Sequence, residues 1–298
     1  MVIKRALLIA NPASRRGQSL IKQATRAFAR DGVDCDVVLT ERPGHAAEIA
    51  SALHLKYDAV FSLGGDGTAM EIAGALAGTG HPVGALPGGT GNLLARALNI
   101  PLRVDRAVAA LLAGKEMQID LGRLADGRRF AIAAGVGIDA TMVLETPRWL
   151  KRRLGVLAYA LMGTRAALRA ILGGHIMNVT LTVDGVTETR SATTIMVANF
   201  GSLLSDRLTL GPTIRGDDGT LDVCLFAPRS LIDGFRIMWR MLTGNFSDHP
   251  TMIYRCGARI RIETDPPRQA QADGELIGLT PLDISVEPLS VKLLVPAP

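Results

Sequence analysis

The chain has 298 residues, of which 48% are hydrophobic and 20% are charged, and its formal net charge is +5. This composition is typical of a globular protein and excludes a disordered one, and the length fits two domains. Arg or Lys interrupts every long apolar stretch, so we expect no segment that spans a bilayer. Three cysteines without CxxC spacing indicate neither a disulfide framework nor a zinc site, and a reducing cytoplasm is the default compartment.

The first part of the chain alternates between strand and helix signals. The predicted strands are Arg5–Ala10, Cys35–Thr40, Ala59–Leu63 and His81–Leu86. The predicted helices are Ser19–Arg30, Ala46–Leu55, Ala69–Ala77, Asn92–Leu98 and Asp105–Ala113. Alternation at this spacing predicts a parallel, doubly wound α/β sheet.

After Asp120 the pattern changes to strand-like runs such as Thr180–Val183 and Arg259–Thr264. Asp-Gly pairs lie near these runs, and Asp-Gly between two strands predicts a hairpin. The pairs begin at Asp126, Asp184, Asp218 and Asp273. Helical stretches at Trp149–Leu172 and Ser230–Thr243 interrupt the strands. We therefore predict a second, mainly antiparallel β domain.

Two glycine-rich segments, Gly64–Thr68 and Pro87–Asn92, each follow a short apolar run and precede a helical one. At such positions an α/β sheet presents backbone N–H groups to phosphate. Asp66 inside the first segment can hold Mg²⁺ that bridges phosphate oxygens. Each segment taken alone can also be a tight turn without a ligand, but two of them together predict a nucleotide. No GxxxxGK[ST] motif occurs, which excludes a P-loop NTPase.

Two acidic turns are candidates for further chemistry. Asp273-Gly274-Glu275 is either a solvated hairpin turn or the source of a carboxylate that accepts the proton of an attacking hydroxyl. Asp217-Asp218-Gly219 is either a plain turn or a site for a hard cation, which prefers carboxylate and carbonyl oxygens.

A basic segment lies beside Trp149, and its cations are Arg148, Lys151, Arg152, Arg153, Arg165 and Arg169. It is either a solvated helix face or a surface for an anionic partner. A basic helix that contains Trp is typical of a membrane interface. The chain has few aromatic residues for stacking bases, which disfavours nucleic acid. Arg236, Trp239 and Arg240 repeat the membrane pattern more weakly.

The motifs in this order resemble the bacterial diacylglycerol kinase-like lipid kinases, which are relatives of the sphingosine kinase catalytic domain. The resemblance runs nearly end to end. The motifs that carry it are Asn11–Ser14, Thr40-Glu41, Gly64–Thr68 with Glu71, Pro87–Asn92 continuing to Pro101, Ile119–Gly122, Gly137–Asp139, Val197–Asn199, Asp218–Asp222 and Asp273–Glu275. Gly-Gly-Asp-Gly-Thr alone is shared with NAD kinases, and the combination with the other motifs makes the resemblance specific.

The resemblance implies an N-terminal nucleotide-binding domain of the phosphofructokinase or NAD-kinase type, at residues 1–122. It implies a β-sandwich-like domain for the lipid acceptor at residues 123–282, with residues from about 283 to 298 returning to the first domain. ATP is then expected between the two domains.

The resemblance also implies site residues. The nucleotide-binding residues are Asn11, Thr40, Gly64, Gly65, Asp66, Gly67, Thr68, Glu71, Gly89, Thr90, Gly91 and Asn92. Asp66 is expected to serve Mg²⁺ with ATP, with Asp120 nearby. Asp273 and Glu275 jointly supply the proton acceptor, without a ranking between them. A structural Mg²⁺ is expected at the Asp218 side chain and the backbone oxygens of Arg215 and Thr220.

The chain departs from the family pattern at three places. Leu93 follows Asn92 where the family often has Asp, which removes one acidic group from the site. Arg215 stands where some members have a carboxylate, which predicts a weak or empty structural metal site. The segment Phe200–Ser205 replaces a glycine-rich stretch, which predicts a stiffer loop and an altered lipid entrance.

The predicted function is an ATP- and Mg²⁺-dependent lipid kinase of phospholipid metabolism, which transfers the γ-phosphoryl group to a hydroxyl of diacylglycerol or a related lipid. The predicted partners are ATP and a membrane-bound lipid, without nucleic acid. The predicted location is the cytoplasm, at the inner face of the membrane. The alternatives are a kinase for a soluble hydroxyl acceptor and a catalytically silent nucleotide-binding regulatory protein. The lipid and the oligomeric state stay open.

Overall fold

The computed structural model describes residues 2–12, 17–137, 176–200 and 214–297. The chain forms two compact units, one of Met1–Ile119 with Leu289–Pro298 and the other of Asp120–Pro288. The predicted helix Trp149–Leu172, the basic segment around it and most of the Phe200–Ser205 loop lie outside the described residues.

The first unit alternates between strands and helices. Its strands are β1 (Arg5–Ala10), β2 (Asp34–Leu39), β3 (Ala59–Gly64) and β4 (Pro82–Pro87). Its helices are α1 (Gly17–Arg30), α2 (His45–Leu53), α3 (Asp66–Ala75), α4 (Leu93–Ala97) and α5 (Val104–Leu112), with a 3₁₀ turn at His54–Lys56. Every residue of β3 and β4 is buried, which is typical of parallel strands covered on both faces.

The strands of the first unit pair in the order β2-β1-β3-β4, and all of these pairs are parallel. Beyond β4, Lys292 and Leu293 near the chain end pair in parallel with Pro82 and Val83. The chain runs from β1 outward to β2 and then crosses back to β3 on the other side of β1. This reversal makes the gap between β1 and β3 a topological switch point, where α/β sheets bind ligands at the carboxyl ends of their strands.

The second unit is mainly antiparallel. Its strands are β5 (Lys115–Leu124, which begins in the first unit), β6 (Arg129–Phe130), β7 (Ala133–Gly137), β8 (Met177–Val183), β9 (Val186–Ala192), β10 (Thr194–Ala198), β11 (Leu221–Phe226), β12 (Met252–Gly257), β13 (Arg259–Asp265), β14 (Gln269–Ala272), β15 (Glu275–Leu279) and β16 (Leu282–Val295, which ends in the first unit). One helix, α6 (Leu231–Leu242), lies between β11 and β12.

One sheet of the second unit has the order β12-β11-β10-β7-β14-β15, and the other contains β16-β13-β8-β9. Apolar residues from both sheets form one buried cluster, which includes Val136, Ile195 and Val223 from the first sheet and Val179 and Ile262 from the second. Packing of two antiparallel sheets over a shared core is a sandwich-like arrangement. The predicted fold class, an N-terminal α/β unit followed by a mainly antiparallel one, is confirmed.

Three of the four Asp-Gly pairs join antiparallel strands as predicted. They are Asp126-Gly127 between β5 and β6, Asp184-Gly185 between β8 and β9, and Asp273-Gly274 between β14 and β15. The fourth, Asp218-Gly219, forms a turn directly before β11. In the described ranges no helix is long and apolar enough to cross a bilayer.

Candidate functional site

Four loops of the first unit follow the carboxyl ends of neighbouring parallel strands. Asn11 follows β1, Thr40 follows β2, Gly65 follows β3 and Gly88 follows β4. The Asn11 N–H donates to Leu63 O at 3.0 Å, so the loop after β1 stays attached to β3. Because the strands are adjacent and parallel, the predicted nucleotide-binding residues lie along one edge of the sheet.

The two glycine loops touch each other through their backbones. The Gly88 N–H donates to Gly64 O at 2.9 Å. A Cβ atom added to Gly89 would lie 2.5 Å from the Cα of Gly65, and one added to Gly88 would lie 2.9 Å from Gly64 N. Contacts this short leave no room for a side chain, so the close approach of the loops requires glycine at these positions.

Asp66 joins the first glycine loop to the start of α4. Its Oδ1 accepts the Leu94 N–H at 3.1 Å. Burial raises the pKa of the Asp66 carboxyl above its ordinary value, and the N–H groups of Asn92, Leu93 and Leu94 oppose that shift. These N–H groups therefore stabilise the ionised carboxylate of Asp66. Asp66 lies in the first glycine loop and also supports the second.

Side chains at the ends of the two glycine loops stabilise the conformation of the loops. Asn92 adopts a left-handed backbone conformation with φ 49°, its Oδ1 accepts the Gly89 N–H at 2.9 Å and its Nδ2 donates to Gly89 O at 3.0 Å. Thr68 is buried, and a Cβ atom on Gly64 would lie 2.6 Å from its Oγ1. Thr90, in contrast, is exposed at the loop tip.

Glu71 stabilises the loop that begins at Thr40 by accepting hydrogen bonds from its backbone and from the start of α2. Its Oε1 accepts the Gly44 N–H at 3.0 Å and its Oε2 accepts the Ala46 N–H at 3.1 Å. These N–H groups stand at the start of α2, where an α-helix leaves its first donors without partners in the helix. Both Glu71 oxygens are therefore engaged in fixing the loop after β2.

In the second unit, the carboxylate of Asp273 binds three successive backbone N–H groups. It accepts hydrogen bonds from Ala131 at 2.8 Å and from Ile132 and Ala133 at 3.0 Å each. The Gln271 Oε1 accepts the Gly274 N–H at 2.8 Å and supports the same turn. Hydrogen bonds to an ionised group are stronger than neutral ones, so Asp273 anchors the β14–β15 hairpin to residues 131–133, where β7 begins.

Glu275 stands two residues later, at the first position of β15, and it is exposed. Its carboxylate has no hydrogen bond or ion pair to any other residue of the described ranges. The two carboxylates of the Asp-Gly-Glu motif therefore differ, because one is fixed by backbone donors and the other is open to solvent.

A buried asparagine links this hairpin to the acidic turn. The Asn199 Nδ2 donates to Asp120 O at 2.7 Å and to Ala131 O at 2.9 Å. The Asp120 Oδ2 accepts the Gly219 N–H at 2.7 Å. In the sequence, Asn199 stands out only as part of a motif, and no pattern indicates the role of residues 131–133. The signal for Asn199 was a polar residue at the end of the apolar run Thr194–Ala198.

The acidic turn offers few ligands to a metal ion. The Asp218 Oδ1 accepts the Thr220 N–H at 3.0 Å and its hydroxyl at 2.9 Å, and the Arg215 Nε pairs with Asp217 Oδ1 at 3.0 Å. Across the described parts of the chain, no three His, Cys, Asp or Glu side chains are grouped to hold a metal. A structural cation at the predicted position would therefore rest on Asp218, backbone oxygens and water. Asp66 fits Mg²⁺ in another way, since that ion commonly binds one or two carboxylates together with substrate phosphates and water.

Comparisons with known proteins extend over both units. Residues 5–124 match the family model "Diacylglycerol kinase catalytic domain", and residues 131–295 match "YegS C-terminal NAD kinase beta sandwich-like domain". A diacylglycerol kinase of Staphylococcus aureus (strain Newman) is 28% identical over 288 residues, which cover 93% of this chain and 88% of that protein. An uncharacterized protein of Synechocystis sp. is 31% identical over 242 residues, which cover 80% of this chain. The match covers 54% of the Synechocystis protein, so the chain spans about half of that relative's length.

Solved structures share the fold. A crystal structure of a diacylglycerol kinase from Bacillus anthracis str. Sterne has a TM-score of 0.74 and 21% identity, covering 99% of this chain and 98% of that one. Another Bacillus anthracis structure reaches a TM-score of 0.79 at 22% identity with the same coverage. The family and the enzyme class predicted from the sequence are confirmed. The chain belongs to the bacterial diacylglycerol kinase-like lipid kinase family, which comprises phosphotransferases with an alcohol group as acceptor.

Proposed function

We propose that this protein transfers the γ-phosphoryl group of ATP to the hydroxyl of a membrane lipid of the diacylglycerol type, in a Mg²⁺-dependent reaction. The observation that carries the proposal is the backbone contact of two glycine loops at the carboxyl edge of a parallel sheet. Phosphoryl transfer depends mainly on positioning and electrostatics, which suits a site made of backbone donors and fixed loops.

The first unit is proposed to bind the nucleotide. The contributing residues are Asn11, Thr40, Gly64, Gly65, Asp66, Gly67, Thr68, Glu71, Gly89, Thr90, Gly91 and Asn92. Glu71 and Asn92 act by fixing loops, since their polar atoms are engaged by backbone groups. Asp66 is proposed as the carboxylate for Mg²⁺, which neutralises charge on the phosphate oxygens when it is bound with ATP. A second cation is proposed at the Asp218 side chain and the carbonyl oxygens of Arg215 and Thr220. Backbone oxygens and water would supply most of its ligands.

The second unit is proposed to supply the proton acceptor, and the hydrogen bonds rank its two candidates. A general base needs a lone pair that can face the proton of the attacking hydroxyl. Three N–H groups already point at Asp273, whereas Glu275 is exposed and has no partner among the described residues. We therefore assign proton acceptance to Glu275 and positioning of the turn to Asp273.

The acceptor is proposed to be a lipid because the Staphylococcus aureus relative named diacylglycerol kinase aligns over 93% of this chain. A lipid hydroxyl lies at a membrane surface, so the enzyme is proposed to bind peripherally to the inner, cytoplasmic face. The net charge of +5 favours attraction to an anionic surface.

The test is a transfer assay with radiolabelled ATP, Mg²⁺ and mixed micelles that contain diacylglycerol, followed by chromatography of the lipids. We expect a labelled lipid that requires Mg²⁺ and is lost in Glu275→Gln. Glu263→Gln is the matched control, because Glu263 is also an exposed strand carboxylate but pairs with Arg261 at 2.7 Å. Label in a soluble acceptor without lipid, or full activity of Glu275→Gln, would contradict the proposal.

A further inference from the structure

Helix α6 exposes a continuous apolar stripe. Ile232, Phe235, Trp239 and Leu242 are 64%, 77%, 69% and 53% exposed. Their spacing of three, four and three residues places them on one face of an α-helix. Four large apolar side chains in one stripe, two of them aromatic, exceed the scattered exposure that is normal for a protein surface.

The helix cannot bury this stripe by rotating, because its other face is already packed. Ile237 and Met241 are buried in a cluster with Phe246 and Met252. The Ser230 Oγ accepts the Asp233 N–H at 3.2 Å and so caps the start of the helix. The inner contacts and the cap hold α6 in place and fix the stripe on the outside.

Cations border the stripe on one side. Arg236 follows Phe235 directly, and its side chain is 63% exposed with only a long contact of 3.7 Å to Asp233. Arg229 is exposed just before the helix. Asp233, the acidic residue of α6, is turned toward the helix start, with its side chain 15% exposed. The outer surface of α6 is therefore apolar along its stripe and positive at the border.

We propose that α6 inserts its apolar stripe into an anionic lipid bilayer, with Arg229 and Arg236 at the headgroups. Trp and Phe beside Arg are the residues that anchor an interfacial helix, which lies in the membrane plane with its apolar face buried. A second copy of the chain fits less well. The stripe offers on the order of 500 Å² of surface, whereas a stable interface needs about 800 Å² from each partner.

This inference deepens the proposed function, because it names the surface that brings the enzyme to a membrane-bound acceptor. Its test uses the full chain without ATP, so loss of binding and loss of phosphoryl transfer are separate results. The chain has two Trp residues, and Trp149→Phe leaves Trp239 as the sole tryptophan, which can be excited selectively over the tyrosines. With vesicles of phosphatidylcholine and phosphatidylglycerol, we expect the Trp239 emission to shift to the blue and to be quenched by lipids brominated on the acyl chains.

The double variant Ile232→Ser, Phe235→Ser should lower the partition coefficient on these vesicles by on the order of tenfold or more. Arg236→Gln should lower it roughly fivefold on anionic vesicles and leave binding to pure phosphatidylcholine unchanged. Leu55→Ser is the control, since Leu55 is 86% exposed outside α6, and it should bind like the parent protein.

Unchanged partitioning of a folded double variant would overturn the proposal, and so would Trp239 emission that stays at its solvent position while the protein binds. Circular dichroism establishes that the variants are folded. If light scattering gives the double variant a lower molar mass than the parent protein while vesicle binding stays intact, the stripe contacts a second copy of the chain. That result would likewise overturn the membrane assignment.

Discussion

The Oδ1 of Asp66 accepts the backbone N–H of Leu94 at 3.1 Å and joins the loop after β3 to the helix after β4. The two residues are far apart in the chain, and the bond supplements the backbone contact between the glycine loops. Asp66 therefore has two roles in our proposal, as a carboxylate near the nucleotide phosphates and as a brace of the second loop.

These two roles can be separated by substitution. We expect Asp66→Asn to keep an acceptor for the Leu94 N–H and to lower turnover by about a hundredfold or more, because the charge that serves Mg²⁺ is lost. Asp66→Ala should also lose the brace, at a cost of about 1–3 kcal/mol in the free energy of unfolding. Turnover and urea unfolding of both variants are the measurements. Equal free energies of unfolding for Asp66→Asn and Asp66→Ala would show that the hydrogen bond to Leu94 contributes nothing to stability.

The contact between the glycine loops predicts a strong effect of one added methyl group. Gly89→Ala places a Cβ atom 2.5 Å from the Cα of Gly65, so the loops must separate. We expect the affinity for ATP, measured by calorimetry, to fall by at least about tenfold. Gly234→Ala is the matched control, because a Cβ atom there meets nothing within 4 Å. If both variants bind ATP like the parent protein, the loops do not form the phosphate site.

Local pattern predicted most of the first unit well because β1, β3 and β4 are short buried apolar runs between polar ends. Arg5–Ala10 was predicted and found with the same bounds, and Cys35–Thr40 was found one residue earlier, at Asp34–Leu39. Helix α3 begins at Asp66, three residues before the predicted start at Ala69. The helix extends into the glycine loop because an acidic residue in the first turn is favoured by the helix dipole.

Long-range hydrogen bonds explain what the sequence did not predict. Glu71 binds N–H groups at Gly44 and Ala46, and Asp273 binds those of residues 131–133, at separations in sequence of 25 to 27 and 140 to 142 residues. In the sequence, a carboxylate that caps a distant segment looks the same as one that binds a ligand. The motif thus identified the Asp-Gly-Glu turn, but only the contacts distinguish its two carboxylates.

The different environments of Asp273 and Glu275 predict different effects of their substitution. Glu275→Gln should lower kcat by about a hundredfold or more, while KM for ATP and the unfolding midpoint stay unchanged. Asp273→Asn should lower kcat too, but it places an amide NH₂ against backbone N–H donors, and we expect a loss of about 2 kcal/mol in the free energy of unfolding. Paired kinetics and thermal unfolding check both. A stable Asp273→Asn enzyme with low kcat, beside an active Glu275→Gln, would reverse the assignment.

Asp222 in β11 is a buried acid whose two carboxylate oxygens have different surroundings. It is 3% exposed, the Tyr254 hydroxyl donates to its Oδ1, and its Oδ2 has no hydrogen-bond partner among the described residues. Burial raises the pKa of this carboxyl from 3.8 to about 6, although the Tyr254 hydrogen bond opposes the shift. The protonated form is therefore favoured in the folded protein relative to the unfolded chain.

A raised pKa of a carboxyl makes stability fall as the pH rises. Below pH 3.8 the group is protonated in both states, and between 3.8 and about 6 only the folded state keeps the proton. Its contribution to the free energy of unfolding is therefore lost as the pH rises through about 6, and the full loss is about 3 kcal/mol. Asp222→Asn lacks this titration, so urea unfolding from about pH 4 to pH 8 should show the stability of the parent protein falling relative to the variant. Tyr254→Phe removes the opposing hydrogen bond and should move the fall to higher pH. A constant difference between the parent protein and Asp222→Asn across this range would mean that Asp222 has the same proton affinity in both states.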